Sequence, residues 1–297
     1  MADTIHTQSP PATAIASTAV APRWRKALRE NLLFVFLLVL TIIWLLPLFS
    51  ALLTSLRTQS DISLNGFWSI PSSITLQNFV EAWERGRVSR YLGNSFLITI
   101  PALAGTLFLS SLSAFALARF RFRGNTLLYF MFVAGTMLPF QILLLPVFRL
   151  SNTLGIYNTH WSLIMIHMAF QMGFCTFVLR NFMRTVPGDI LDAARVDGCS
   201  EFRIYWQIML PMSLPSLAAL ATLEFTWIFN DYLWAIILIQ SDSLKPVTAG
   251  LATLQGQYTT NWPVLTAGSL IAIIPTVIVF AFLQRYFIQG LTLGSGK

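Results

Sequence analysis

The sequence predicts an all-α, polytopic membrane protein with six transmembrane helices, and three observations carry that prediction. Of the 297 residues, 55% are hydrophobic and only 10% are charged, where a soluble domain carries about 25% charged residues. The apolar residues gather in six long blocks, each near the roughly 20 residues that a helical span requires. Those blocks are continuous, whereas a membrane β-barrel alternates apolar and polar residues. Inside lipid, a helix satisfies all of its backbone groups within one segment.

Residues 1–22 are rich in Ala, Pro, Thr and Ser and show no apolar period, so residues 1–30 are expected as a disordered cytoplasmic lead-in. Arg23, Arg25, Lys26 and Arg29 precede the first block, about 32–53. That run exceeds the about 7–15 apolar residues of a signal-peptide core, so an uncleaved first span is expected. The second block, about 93–117, lies between Arg90 and Arg119, and the third, about 126–147, between Arg123 and Arg149. The fourth, about 160–179, ends at Arg180; the fifth covers about 213–238 and the sixth about 264–284. Residues 31–290 are therefore expected as the membrane domain, with a long inner loop at 180–211 and a cytoplasmic tail at 291–297.

Lys and Arg set the orientation. With the N-terminus inside, thirteen of the 19 lie on inner segments and six on outer ones. The inverted topology reverses that bias, so both termini are expected in the cytoplasm. This rule also accounts for the net charge of +7 without nucleic acid: no basic stripe interleaved with exposed aromatics is present. Cys175 and Cys199 are too few for a disulfide framework or a metal cluster and are read as free thiols.

The long inner loop carries the densest pattern. In 189–211, Ile190, Ala193, Ala194 and Asp197 recur at helical steps, Gly198 suits a left-handed stop, and Phe202, Tyr205, Trp206 and Met209 form a second helical stripe before Pro211. The pattern predicts a short helix, a glycine turn and another short helix. Composition leaves two uses open. A basic amphipathic stretch lies on lipid headgroups, but Asp189, Asp192, Asp197 and Glu201 balance Arg180, Arg184, Arg195 and Arg203, and small residues beside a glycine suit docking into a protein groove.

The string Asp192-Ala193-Ala194-Arg195-Val196-Asp197-Gly198, followed by Ile208, Leu210 and Pro211, resembles the cytoplasmic EAA loop of permease subunits of bacterial ABC importers. That family's pattern is E-A-A, two residues, D-G, and about nine residues to I-x-L-P; here Asp192 replaces the usual Glu and Cys199 the usual Ala. Asn94-Ser95, the run Ala118-Arg119-Phe120-Arg121-Phe122-Arg123-Gly124, Asn230-Asp231-Tyr232 and the terminal Gln284-Arg285-Tyr286-Phe287 with Gly290-Leu291-Thr292 are similar to the family's carbohydrate-uptake branch. The similarity covers about 30–297. It implies a type I ABC importer permease fold in the bacterial inner membrane. It also implies a second permease subunit, two cytoplasmic ATPase subunits, an extracytoplasmic solute-binding protein and a carbohydrate or polyol substrate. ATP and Mg would sit on the ATPase, with no cofactor or metal in this chain, and Asp192, Ala193, Ala194, Asp197 and Gly198 would dock the ATPase. The coupling logic is rigid-body motion passed from the closing ATPase pair into the spans.

Polar residues within the blocks are the other candidates. Glu224 and Asp231 share a helical face with Ile228. Carboxylates at membrane depth face an interior or water, so each is read as an interhelical hydrogen bond, a capped helix break, or lining of a solute path with Asn230. His167 and Gln171 sit one turn apart, and Gln141 lies between Pro139 and Pro146. Such side chains bridge packed helices or bind sugar hydroxyls; a lone His is a poor metal site. The outer loop 241–262 contains Gln255, Gln257 and Tyr258, and in the resembling family the corresponding loop reaches into the binding protein.

Enzymatic chemistry is not written in the sequence. The tail GLTLGSGK has Leu291 where a phosphate loop needs its first Gly, and no nucleophile elbow or zincin motif occurs. Two other classes compete with the permease reading. An ion-coupled carrier would use Glu224 and Asp231 and transport alone; a membrane scaffold would move no solute.

Overall fold

The computed structural model describes residues 23–255 and 260–293, with side chains described for 30–255 and 260–285. The chain divides into two units, Met1–Phe49 and Ser50–Lys297. Helix α1, Arg23–Ser55, runs through the first and ends in the second, with Pro47 inside it. It carries no charged residue after Glu30 and is apolar on every side, as a helix bathed in lipid must be.

In the second unit, helices follow one another: α2 (Gln59–Asn65), α3 (Gln77–Glu84), α4 (Val88–Arg119), α5 (Asn125–Met137), α6 (Leu144–Thr153), α7 (His160–Thr185), α8 (Gly188–Val196), α9 (Glu201–Met212), α10 (Leu214–Phe229), α11 (Leu233–Leu238), α12 (Val247–Ala252) and α13 (Trp262–Leu293). Among the described residues the sole β pairing is one antiparallel bridge, Gln255 with Thr260. Four helices are long and apolar enough to cross a bilayer, within α1, α4, α7 and α13. Two more spans are broken: α5 meets the segment Phe140–Thr153 at 95°, and α9 meets α10 at 71°. Counting each bent pair once gives up to six by length and composition; of the second pair, α10 lies within the expected fifth block, whereas α9 falls in the loop expected at 180–211.

The breaks divide two of the expected blocks, the second in the form of the capped helix break that the sequence offered for Asp231. The block at 126–147 is not one straight helix. Pro139 forces Leu138 into extended backbone (ψ 128°), and the chain restarts as a 3-10 turn at Phe140–Leu143. The block at 213–238 stops at Phe229 and resumes at Leu233, because the Asp231 carboxylate accepts from the backbone N–H groups of Trp234 (3.4 Å) and Ala235 (3.2 Å) and so starts a new helix.

The bundle is built on α4 and α7, its most extensive helix pair; α10 packs on both α13 and α4, and α5 on α7. Small polar residues let these helices approach closely: Ser110, Ser111, Thr106 and Thr176 are all buried, and Ser110 donates to the Met172 carbonyl at 3.3 Å. One apolar cluster joins Phe115, Leu179, Met183, Leu191 and Tyr205; a second centres on Ile98, Leu163 and Trp234; a third on Tyr91, Phe225 and Phe229.

Two loops are more structured than their composition suggests. After α1, the fully buried Arg57 clamps its own loop: its Nε donates to Asp61 at 2.6 Å, Nη1 to the Gly66 carbonyl at 3.0 Å and Nη2 to the Ser69 hydroxyl at 2.6 Å. Asp61 also accepts from Asn65 and Ser72. The segment 241–262 reads in the sequence as a polar outer loop, yet α12 lies within it and is seated on α4. Tyr91 donates to Asp242 (2.9 Å), Asn94 to the carbonyls of Ser243 (2.9 Å) and Lys245 (3.0 Å), and the Val247 N–H to Ser95 (2.9 Å).

Arg57, then Asn65 and Ser72, hold the Asp61 carboxyl well below the usual carboxylate range. A depressed folded pKa contributes stability that is complete above the unfolded value of about 3.9 and is lost as pH falls further. Asp61→Asn is therefore expected to lower the thermal midpoint at pH 7, with the gap to wild type closing as pH drops below about 4, read by thermal melts of the purified protein. At Gly250 a Cβ would fall 2.2 Å from Cδ2 of Tyr91. Gly250→Ala is expected to cost about 1–3 kcal/mol by overpacking, measured as a fall in unfolding free energy in detergent.

Candidate functional site

The segment 188–212 is a stiff, well-fastened structure. Pro187 precedes α8, Asp189 lies in its first turn and Arg195 in its last, both favourable for the helix dipole. Leu191 and Ala194 are buried against the cluster of Leu179, Met183 and Tyr205. The opposite side is open: Asp192, Ala193 and Asp197 are exposed, and Val196 is 88% exposed. Gly198 takes the expected left-handed conformation (φ +82°). Its turn returns the Cys199 N–H to the Ala194 carbonyl at 2.9 Å and the Gly198 N–H to the Arg195 carbonyl at 3.0 Å.

Ser200 caps α9 through the Arg203 N–H, and residues Tyr205–Met209 within α9 form a π-helical turn. The predicted stripe splits at this turn. Tyr205 and Met209 are buried, while Phe202 and Trp206 stack on each other, 6.3 Å apart, and remain exposed. Three polar contacts lock the loop. Arg195 bridges Asp192 (2.6 Å) and Glu201 (2.7 Å), joining α8 to α9. The Tyr205 hydroxyl pairs with Ser111 of α4 at 2.8 Å. Arg119, at the end of α4, donates to the carbonyls of Met183 and Val186 at the end of α7. Arg180 lies 3.8 Å over the Tyr129 ring.

A second site lies within the bundle. Phe140, His167, Phe170, Gln171, Trp227, Asp231 and Trp234 line a cavity of about 270 Å³. His167 and Gln171 are buried on α7. The His167 Nε2 lies 3.7 Å from Asp231 Oδ2, the same oxygen that caps α11. Thr248 donates to the Asp231 carbonyl, tying the break to α12. The fold thus brings His167, Gln171 and Asp231 together.

The other membrane candidates lie elsewhere. Gln141 is exposed on the 3-10 turn. Asn230 is exposed and donates to the Thr226 carbonyl (2.8 Å) and the Thr276 hydroxyl (3.4 Å). Glu224 is fully buried; the Cys175 thiol donates to its Oε1 at 3.3 Å, while Oε2 has no hydrogen-bond partner among the described residues. Gln255 is exposed, and Gln257 and Tyr258 lie outside the described residues. The sequence reading did not single out the four aromatic rings of the cavity. Trp227 with Asp231, and His167 with Phe170, stand at helical spacing and were legible; Trp234 was not, because it reaches the cavity only through the break at Asn230–Tyr232.

Residues 106–293, which include the loop and the cavity, match the family of binding-protein-dependent transport system inner membrane components. The chain belongs to that family. Among curated relatives, the arabinooligosaccharides transport system permease protein AraQ of Halalkalibacterium halodurans is 38% identical over 84% of this chain and 90% of its own. A probable ABC transporter permease protein, YurM of Bacillus subtilis, is 34% identical over 93% of this chain and 91% of its own. In fold, the chain is similar to a crystal structure of a bacterial ABC transporter importing the polysaccharide alginate, with a TM-score of 0.75, 20% identity, and coverage of 94% of this chain and 100% of that one.

This ABC permease is thus a multi-pass inner-membrane subunit, and ATP hydrolysis in such importers belongs to a separate chain. Membership leaves the ion-coupled carrier reading without support. Because Asp231 both caps α11 and faces His167, Asp231→Ala in the permease is expected to cost about 0.5–2 kcal/mol through the lost cap, whereas Asp231→Asn keeps most of that stability. Thermal melts of both variants check it.

Proposed function

We propose that this permease forms half of the path for a carbohydrate or related polyol in an ATP-driven, binding-protein-dependent importer, with both termini in the cytoplasm. The observation that carries the reading is the α8–α9 loop: a short helix with one open side, turned by a left-handed glycine and fastened to the ends of α4 and α7. A loop so fastened passes a push from outside the lipid into two spans without dissipating it in its own flexing. Asp192, Ala193, Asp197 and Gly198 form the face offered to the ATPase, and Ala194 holds that face to the bundle. A second permease subunit completes the pore, two ATPase subunits supply the stroke, and an extracytoplasmic binding protein delivers the solute near Gln255, Gln257 and Tyr258.

Carbohydrate is the substrate class favoured by the cavity's chemistry. Four aromatic rings offer faces for the C–H surfaces of a sugar, and His167, Gln171 and Asp231 offer donors and acceptors for its hydroxyls. The names of relatives such as AraQ point the same way. In this reading Glu224, Gln141 and Asn230 support the helices around the path.

Gly198→Asp places a β-carbon on a left-handed backbone and a charge on the docking face; that β-carbon meets no atom within 4 Å, and the backbone strain is common to the Asn variant, so the two differ in charge. The variant is expected to lose co-purification of the ATPase and to lower solute-stimulated ATP hydrolysis by at least about tenfold, equivalent to about 1.4 kcal/mol. Gly198→Asn, which tolerates the left-handed region, is expected to retain most of both. Survival of ATPase binding and of stimulated hydrolysis in Gly198→Asp would overturn the docking role.

A further inference from the structure

Beside the loop, bordering the proposed docking face at Asp192, lies a cleft of about 860 Å³ whose lining includes Arg119, Arg121, Arg123, Arg180, Arg184 and Arg195. A single carboxylate, Asp192, joins them, and it is already paired with Arg195. Arg119, Arg180 and Arg195 have partners within the chain, as described above. Arg121, Arg123 and Arg184 are exposed and form no ion pair or hydrogen bond among the described residues. The Nε of Arg119 is buried and unpartnered. Two helices also begin at this cleft, α5 after Gly124 and α8 after Pro187, and neither N-terminus has a side-chain cap. Free N–H groups and the positive ends of two helix dipoles therefore add to the guanidinium charge.

So much uncompensated positive charge in one concavity calls for an anion. Forked guanidinium groups with backbone N–H groups favour a phosphate, which accepts several such bonds at once. The position of the cleft indicates where that phosphate comes from. Its walls are the ends of two spans, α4 and α7, and the start of a third, α5. Apolar side chains interleave with the arginines: Phe120 and Phe122, both lining the cleft, are 38% and 43% exposed. Arginine heads beside exposed apolar side chains at the end of a span match the boundary between headgroups and acyl chains, and basic pockets between membrane helices hold anionic headgroups.

We propose that this cleft binds the phosphodiester headgroup of an anionic phospholipid. The lipid neutralises Arg121, Arg123 and Arg184 and braces the base of the loop against α4, α5 and α7. The inference needs only that the chain spans a membrane, so it stands or falls separately from the ATPase docking proposed above.

The test uses the full-length chain purified in detergent, with phosphatidylglycerol and phosphatidylcholine of identical acyl chains supplied in equal amounts, and native mass spectrometry to count retained lipid. Wild type is expected to retain phosphatidylglycerol over phosphatidylcholine. The Arg121→Gln, Arg123→Gln, Arg184→Gln triple variant is expected to lose that preference by about tenfold or more, given the favourable contribution of each basic residue near an anionic surface. The matching triple Lys variant keeps the charge and is expected to keep the preference, which separates a charge effect from misfolding. Equal retention of the two lipids by wild type, or an unchanged preference in the Gln variant, would overturn the proposal. Displacement of the lipid by millimolar inorganic phosphate would also overturn it, since a soluble anion would then be the occupant. So would displacement by the purified partner ATPase, since the cleft would then be a protein contact.

Discussion

A bilayer offers no water to a freed backbone N–H or carbonyl, so each interruption of a membrane helix must bring its own partners. That constraint organises the interior of this permease. At Asn230–Tyr232 the helix stops, and Asp231 supplies two acceptor oxygens to the next helix while its own carbonyl accepts from Thr248. The same carboxylate then has little freedom to move. It faces His167 across 3.7 Å because its cap fixes it there, and the aromatic rings on either side of the break converge because the chain turns at that point. A continuous helix through 213–238 would have carried Trp234 past the cavity. The break is what makes a cavity possible, and the polar residue that makes the break tolerable also becomes part of the cavity wall.

The loop at 188–212 answers a different demand. A connection outside the lipid has water for its backbone and would be free to flex, yet here it is stapled. Arg195 joins its two helices, Tyr205 reaches Ser111 across a buried interface, and Arg119 ties the end of α4 to carbonyls at the end of α7. Exposed ion pairs are individually weak, so Arg195 alone would not stiffen the turn. The buried seat of Leu191, Ala194, Tyr205 and Met209 does most of that, and the ion pairs select one arrangement of the two helices on that seat.

Much of this was legible in the sequence, and the reasons for success and failure are physical. Apolar blocks bounded by arginines located α1, α4, α7 and α13 to within several residues, because a long uniform solvent imposes a long uniform pattern. The turn at Gly198 was legible because a left-handed backbone position favours glycine. The 95° bend after Met137 was signalled by Pro139 but masked by the hydrophobicity on both sides of it. The seating of α12 was hidden for another reason: Asn94 and Ser95 hold the 243–247 segment across about 150 residues, and no local pattern announces so distant a partner. For the same reason Asp231 was recognised as a cap or a lining group but not as both, and Glu224, on its helical face, lies outside the cavity with Cys175.

The two sites share their supports. Helix α7 carries His167 and Gln171 to the cavity and Arg180 to the base of the loop; helix α4 carries Ser95 at the seat of α12 and Arg119 at the base of the loop. Thirteen residues separate His167 from Arg180, about 20 Å along a helix rising ~1.5 Å per residue. Over that distance the pair is packed side by side through small polar residues, so neither helix bends easily on its own. On the proposed reading, a displacement of the loop arrives at the cavity as a shift of α7 against the Asp231 break, which is held by hydrogen bonds to α11 and α12 rather than by a continuous helix. A rigid rod meeting an interrupted one concentrates movement at the interruption, so solute access would change there while the rest of the bundle stays packed.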